Sequence, residues 1–319
     1  MSLRAALEAQ IPHTLENTEL PGLGPVERGK VRDIYRRDDQ LILVASDRLS
    51  AFDRVLTTVP FKGELLTRTA TYWFEQTADI VPNHIVSIPD PSVMVVRRCE
   101  PIPVEIIVRG YITGSLWRDY QDGSAAAYGL DFPADLRRDQ AFPEAILTPT
   151  TKAERGEHDL PISREEILSR GLVDEALYAE AESVALKLFA RGVELAAKRG
   201  LILVDTKYEF GLLDGKVVLM DEIHTPDSSR YWVAEGYAER FEAGEAQQML
   251  DKENIRQWLI QTHGYKGDGP IPEIPAEVRA DLAQKYVTAY ETLTGRSFDA
   301  KPGNVHARIE KNLAEAGLL

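Results

Sequence analysis

The chain has 319 residues, 44% hydrophobic and 28% charged, with a formal net charge of -14. These are the proportions of an ordinary globular protein long enough for about two domains. The acidic surplus excludes the broad basic surfaces that nucleic acid and anionic membranes require, though not a local cluster of donors for a phosphorylated small molecule; the single Cys99 excludes a disulfide framework, and six scattered histidines argue against a histidine-built metal site.

The pattern of Leu3 to Gln10 predicts a short helix. Met1 to Thr14 carries Arg4 and Glu8 and lacks an apolar core, so it does not read as a signal peptide, and the expected compartment is the cytoplasm. After Pro21 to Pro25, strands are predicted at Val26 to Tyr35 and Leu41 to Ala45, a helix at Lys62 to Gln76, and strands at Val93 to Cys99 and Val104 to Ile112. None of the aliphatic runs is long enough to cross a bilayer. Gly24 to Lys30 nearly spells a P-loop but lacks its Ser/Thr, and the alternation of Val31 to Tyr35 is that of a strand. A glycine turn between two strands that covers a nucleotide fits better, beside the plainer reading of a hairpin turn.

The loop Ala45 to Asp53 holds two hydroxyls, two acids and an arginine, and reads equally as a polar-ligand loop or as a turn with caps. Arg109 ends a strand and runs into Gly110 to Ser115, where bidentate guanidinium donors and glycine-exposed backbone N–H groups suit a phosphate. Thr148 to Asp159 is a long polar stretch read as a substrate-facing loop. Further on, Ser163-Arg-Glu-Glu166 is a capping box. Leu177 to Ala196 then has the period of a long amphipathic helix that Gly200 ends. Two more helices are predicted, one opened by Asp251 and running through Trp258, the other marked by Val278 to Leu293 and stopped by Gly295. The small sheet gives way to a larger domain near Val104 to Arg109, which divides the chain into 1–105 and 106–319.

The densest chemistry lies between Leu201 and Trp232. An apolar strand runs into Asp205, Lys207 and Glu209, which alternation places on one face, and Asp214-Gly215 turns the chain back to Asp221-Glu222. Carboxylates clustered with a lysine at the ends of buried strands are costly unless they hold a metal or a charged ligand, which is the layout of a magnesium–nucleotide site. A strict two-residue turn would pair Asp221 with Tyr208, opposite the Glu209 face; one extra loop residue or a bulge would pair it with Lys207. The bulged register is the one expected. The bland alternative is a solvated surface hairpin. Asp227-Ser228-Ser229-Arg230 adds hydroxyls and a second arginine.

Six stretches in order carry a family resemblance: Gly29 to Tyr35, Ser46 to Asp53, Val108 to Ser115, Lys152 to Asp159, Val204 to Gly211 and Met220 to Trp232. Together they resemble the SAICAR synthetases (phosphoribosylaminoimidazole-succinocarboxamide synthases), in the family's longer form. The resemblance implies a two-domain, kinase-like α+β fold, with a small antiparallel-sheet N-terminal domain, a larger α/β domain and ATP in the cleft. It also implies ligation of L-aspartate to the carboxylate of carboxyaminoimidazole ribonucleotide, driven by ATP with Mg2+, by a monomer. By carry-over, Glu209 and Asp221 would hold the metal, and Glu209 would thereby bridge to ATP. Lys207 would neutralise charge on the transferred group or the aspartate carboxylate, with Asp205 orienting Lys207 or receiving a proton. Gly29 and Lys30 would cover the ATP phosphates, with Glu105 near the adenine. Arg109, Ser115, Ser229 and Arg230 would grip the ribonucleotide phosphate, with Ser46, Asp47, Asp53, Lys152 and His158 as further substrate contacts. The rival class is a kinase-like phosphotransferase acting on a small phosphorylated substrate.

Overall fold

The structure, a computed structural model, describes residues 1–52, 54–152, 159–250 and 253–319, apart from the side chains of Glu253, Asn254 and Gln257. Asp53, His158 and the helix-opening Asp251 therefore lie outside the described residues. The chain forms two units: Met1–Tyr72, His84–Arg98 and Leu250–Leu319 make unit 1, and Trp73–Asn83 with Cys99–Met249 make unit 2. The single division expected at 105/106 differs from this, since Leu250–Leu319 belongs with the N-terminal elements and Trp73–Asn83 and residues 99–105 belong to unit 2.

In chain order the elements are α1 (Leu3–Gln10), β1 (Val26–Arg28), β2 (Arg32–Arg37), β3 (Gln40–Ala45), β4 (Arg48–Ala51), β5 (Arg54–Thr58), α2 (Lys62–Gln76), β6 (Ile85–Asp90) and β7 (Val93–Arg97). They continue with β8 (Glu100–Pro101), β9 (Val104–Tyr111), α3 (Gly114–Asp122), β10 (Ala141–Leu147), β11 (Thr150–Thr151), α4 (Arg164–Ser169) and α5 (Glu175–Ala197). The last are β12 (Leu201–Leu213), β13 (Lys216–Met220), β14 (Ser229–Val233), α6 (Tyr237–Ala243), α7 (Glu253–His263), α8 (Ala276–Thr294) and α9 (Val305–Glu315). The α+β class expected from the sequence holds. Among the described residues no helix is long and apolar enough to cross a membrane.

Unit 1 is built on an antiparallel sheet ordered β1-β2-β3-β7-β6. The expected strand Val26 to Tyr35 is two strands, because the chain reverses at Gly29, whose N–H donates to Arg32 O at 2.8 Å. The C-terminal helices join this unit through their apolar faces. Val305, Ile309 and Leu313 of α9 pack with Tyr35, Ile42 and Val95, while Ala283 and Tyr286 of α8 pack with Leu7 and Leu65. The helix α9 has an Asn304 cap and was not foreseen, since its short stripe of three apolar positions carries no chemistry to draw notice.

Unit 2 has a seven-stranded sheet with β10-β9-β12-β13 as its spine; β11 joins β9, and β14 and β8 join β12. The 23-residue α5, capped by Asp174, lies across β12 and β9 with Ala181, Ala185 and Leu188 fully buried. The β12–β13 register corrects the sequence expectation. Leu213 pairs with Lys216 and Glu209 with Met220, so Asp214-Gly215 is a strict two-residue turn. Both turn residues have positive φ, 51° and 74°, the geometry whose twist matches the flanking strands, so no bulge is needed. Asp221 lies beyond the last pair and leaves the strand with φ 65°.

Candidate active site

The charged residues of unit 2 meet on one face of its sheet. β12 pairs with β9 so that Asp205 faces Arg109 and Lys207 faces Ile107. Because alternate residues share a face, Asp205, Lys207 and Glu209 line up with Glu105 and Arg109. β14 brings Arg230 opposite Asp205, and β11 brings Thr150 opposite Glu105.

Two knots of charge result. In the first, Arg109 donates to Asp205 Oδ2 at 3.0 Å, to Thr148 Oγ1 at 2.7 Å and to Ser115 Oγ at 3.2 Å. Arg230 donates to the same Asp205 oxygen. One carboxylate oxygen thus restrains two guanidiniums, and the Arg109 side chain is only 3% exposed. Burial pulls the Arg109 pKa down, and Asp205 opposes that pull. The N-terminus of α3 begins at Gly114, with Ser115 in its first turn, and adds the anion preference of a helix start. Gly114 is required twice over: its φ is 59°, and a Cβ there would lie 2.5 Å from the Arg230 guanidinium.

In the second knot Lys207 Nζ donates to Glu105 and, at 3.0 Å, to Glu209 Oε1; Lys152 donates to the other Glu209 oxygen. Burial works to raise the Glu209 pKa, but Lys207 and Lys152 outweigh it and hold the carboxyl at about 2. Burial also works to lower the Lys207 pKa, and the charges of Glu209 and Glu105 reverse this, so its ammonium is held well above the usual range. Glu105 is raised, burial prevailing over Lys207.

The loop after β13, which carries Asp221 and Glu222, is anchored from behind the sheet. His224 is fully buried, shares a hydrogen bond with the Tyr208 hydroxyl and packs edge-on against Trp73 with ring centroids 4.7 Å apart. Tyr231 donates to the His224 carbonyl at 2.8 Å, and Thr225 donates to Glu222. Burial holds the His224 pKa down at about 3, so the ring is neutral. Among the described residues no three His, Cys, Asp or Glu side chains converge on a metal-sized point. The carboxylates of Glu209 and Asp221 are nonetheless the hard oxygen donors that Mg2+ takes, and such sites commonly use one or two carboxylates with substrate phosphates completing the shell.

Several expected site residues are placed differently. Asp205 was expected to orient Lys207 or receive a proton; its carboxylate binds the two arginines, and it is Glu105 and Glu209 that hold Lys207. Ser229 was grouped with Arg230 as a phosphate contact, but neighbouring strand residues face opposite sides, and its hydroxyl donates to Thr206 at 2.7 Å on the far face. In unit 1, Ser46 donates to Val31 O at 2.7 Å, and Asp47 accepts from the backbone of Leu15 and of Gly63 at 2.8 and 3.0 Å. Burial raises the Asp47 pKa to about 6. For Ser46 and Asp47 the capped-turn reading therefore fits the geometry better than ligand contact. Gly29 and the exposed Lys30 form a turn whose carbonyls accept from the buried Arg48 guanidinium, itself paired with Asp33 at 2.9 Å. Thr148 and Thr150, which position Arg109 and Glu105, were not singled out. Their spacing of two within Thr148-Pro-Thr-Thr was the only signal, and it gains meaning once β9 is seen alongside.

The chain matches the family model described as SAICAR synthetase over residues 25–271. It is 47% identical over 310 residues to a phosphoribosylaminoimidazole-succinocarboxamide synthase of Legionella pneumophila (strain Paris), covering 95% of this chain and 98% of that one. It is 50% identical over 303 residues to the enzyme of the same name from Cytophaga hutchinsonii, covering 93% and 97%. Among solved structures, the SAICAR synthase of Saccharomyces cerevisiae complexed with SAICAR superposes with a TM-score of 0.79 at 35% identity, over 90% of this chain and all of that one. A type-2 SAICAR synthetase in complex with ADP superposes at 0.65 with 25% identity, covering 86% and 100%.

Proposed function

The chain belongs to the SAICAR synthetase family and is an ATP-dependent carbon–nitrogen ligase of purine biosynthesis; from that premise we propose that the charged face of unit 2 is where the bond is made. The substrates are L-aspartate and carboxyaminoimidazole ribonucleotide, and the products are the succinocarboxamide ribonucleotide, ADP and phosphate. The observation that carries the assignment is the juxtaposition on one sheet face of an arginine pair sharing a single carboxylate with a lysine held between two carboxylates.

The division of work follows from charge. A carboxylate is a poor electrophile, so amide formation first requires its oxygen to become a leaving group, and transfer of the ATP γ-phosphoryl makes it one. The aspartate amine then attacks the carbonyl carbon and phosphate departs. Phosphoryl transfer is helped chiefly by positioning and charge neutralisation. Lys207, kept charged by Glu105 and Glu209, is suited to stabilise the transferred group, and Glu105 acts as its positioning residue. Arg109, Arg230, Ser115 and the start of α3 grip the ribonucleotide phosphate, while Asp205 keeps the two guanidiniums together when no phosphate is present. Lys152 neutralises Glu209. Glu209 and Asp221 would hold Mg2+, which when bound supplies charge neutralisation at the ATP phosphates. A monomer in the cytoplasm is the setting we assign, supported by the single cysteine and by the family's longer form.

ADP release measured with aspartate and with the ribonucleotide, separately and together, tests the reading. Turnover is expected only with both present. Steady ADP release with the ribonucleotide alone would instead support a kinase-like phosphotransferase, a reading the comparisons do not favour.

A further inference from the structure

Residue 139 is an aspartate where the backbone favours glycine. Its φ is 65°. Hydrogen bonds on both sides fix it there: its N–H donates to Ile112 O at 2.8 Å, its carbonyl accepts from the Tyr237 hydroxyl at 2.8 Å, and Ile112 N–H donates to Gln140 O at 2.9 Å. The side chain is buried, and a buried carboxylate is costly unless it is well partnered. One of its oxygens accepts from the buried Thr113 hydroxyl at 2.6 Å; the other lies 3.7 Å from the exposed Arg138 guanidinium. Thr113 holds the cap position of α3, with extended backbone (φ -153°, ψ 178°), yet its side chain makes no capping hydrogen bond. A capping threonine ordinarily accepts from the second or third N–H of its helix. Here the hydroxyl is turned to Asp139 and Gly114 has no side chain, so the cap of α3 is left open. The open end stands beside both guanidiniums: Ser115 Oγ accepts from Arg109, and Gly114 lies directly against Arg230.

We propose that Asp139 is a positioning residue for the ribonucleotide: by holding the Thr113 hydroxyl it keeps the start of α3 uncapped, so that the first N–H groups of the helix remain for the substrate phosphate. The inference rests on the assignment of the arginine pair and α3 to that phosphate. Without the Asp139 carboxylate, the Thr113 hydroxyl turns onto the first turn and occupies a donor that the phosphate would use. A helix start satisfied by its own cap is a weaker anion site.

Initial rates of the full chain, with each substrate varied in turn, test this. Asp139→Gly removes the carboxylate and suits the positive φ, so it should fold and melt close to the wild type. Its KM for carboxyaminoimidazole ribonucleotide should rise about tenfold, the worth of one hydrogen bond to a charged group, with kcat and the KM values for ATP and aspartate unchanged. Asp139→Asn tolerates the same φ, and its amide oxygen still accepts from Thr113, so it should keep the wild-type KM. Adding Thr113→Val to Asp139→Gly removes the competing hydroxyl at nearly constant shape and should return the ribonucleotide KM close to the wild-type value. Two merely structural losses would add instead of cancelling. An unchanged ribonucleotide KM in Asp139→Gly, a parallel rise in all three KM values, or a double variant no better than the single one overturns the proposal. Arg230→Ala separates it from the assignment beneath it. A raised ribonucleotide KM there, with none in Asp139→Gly, removes only the role of Asp139; no rise in either variant removes the phosphate assignment as well.

Discussion

Replacing Asp205 by asparagine keeps the shape of the side chain and removes the one charge that Arg109 and Arg230 share. The Arg109–Asp205 pair is 3.0 Å apart with side chains 3% and 6% exposed, so solvent does little to screen it. Removing one partner of such a buried pair costs about 3–5 kcal/mol, because the other charge stays buried and uncompensated. The amide oxygen can still accept one N–H, which places the expected loss near the lower end, about 3 kcal/mol. Arg230 is 29% exposed and contributes less. For a folding unit of this size that loss corresponds to a melting temperature lower by roughly 6–12 °C. Inorganic phosphate should then rescue the variant more than it helps the wild type, since the Asp205 charge no longer competes with the anion for the two guanidiniums. At a phosphate concentration about 100 times its Kd the gain is about 2.7 kcal/mol, most of the loss. The assay is calorimetric melting with and without phosphate at matched ionic strength. An unchanged melting temperature would show that the pair is not buried as described, and equal phosphate shifts for both proteins would refute the anion role of the arginines.

Lys207→Met should lower kcat by about 10²–10³-fold, the usual effect of losing one preorganised charge-stabilising group, with a smaller change in KM for the ribonucleotide; steady-state kinetics with both substrates varied would show it. Gly114→Ala adds a side chain at φ 59° and 2.5 Å from the Arg230 guanidinium. It should cost about 1–2 kcal/mol of stability and raise KM for the ribonucleotide, measured by urea unfolding and initial rates. His224 titrates near 3 in the folded chain, below its unfolded value of 6.5. Its contribution is thus fully present above pH 6.5 and is lost as the pH falls toward 3, because the unfolded chain takes up the proton first. In His224→Gln the pH slope of unfolding free energy between pH 6.5 and 5 should flatten, by about 1.4 kcal/mol per unit at the lower end of that range; identical slopes would mean that the ring is not buried neutral.

How much was legible depends on the range of the interactions involved. Strand alternation is local, so the sequence by itself put Asp205, Lys207 and Glu209 on one face. The helices with long apolar stripes, α5 and α8, were readable for the same reason. Pairing between the strands was not readable, because about a hundred residues separate Arg109 from Asp205 and only hydrogen bonding between β9 and β12 gives each charge its partner. That is why Lys207 was matched to Asp205 and not to Glu105. Asp47 looked like a ligand contact because a sequence does not show that two backbone N–H groups already occupy its carboxylate. The hairpin register turned on two positive φ angles at Asp214 and Gly215, which permitted a tight turn where an extra residue was expected. The return of Leu250–Leu319 to unit 1 likewise depended on which apolar face it would cover. Local periodicity thus determined which residues stand together along each element, and packing between distant segments alone decided which elements, and hence which charges, meet.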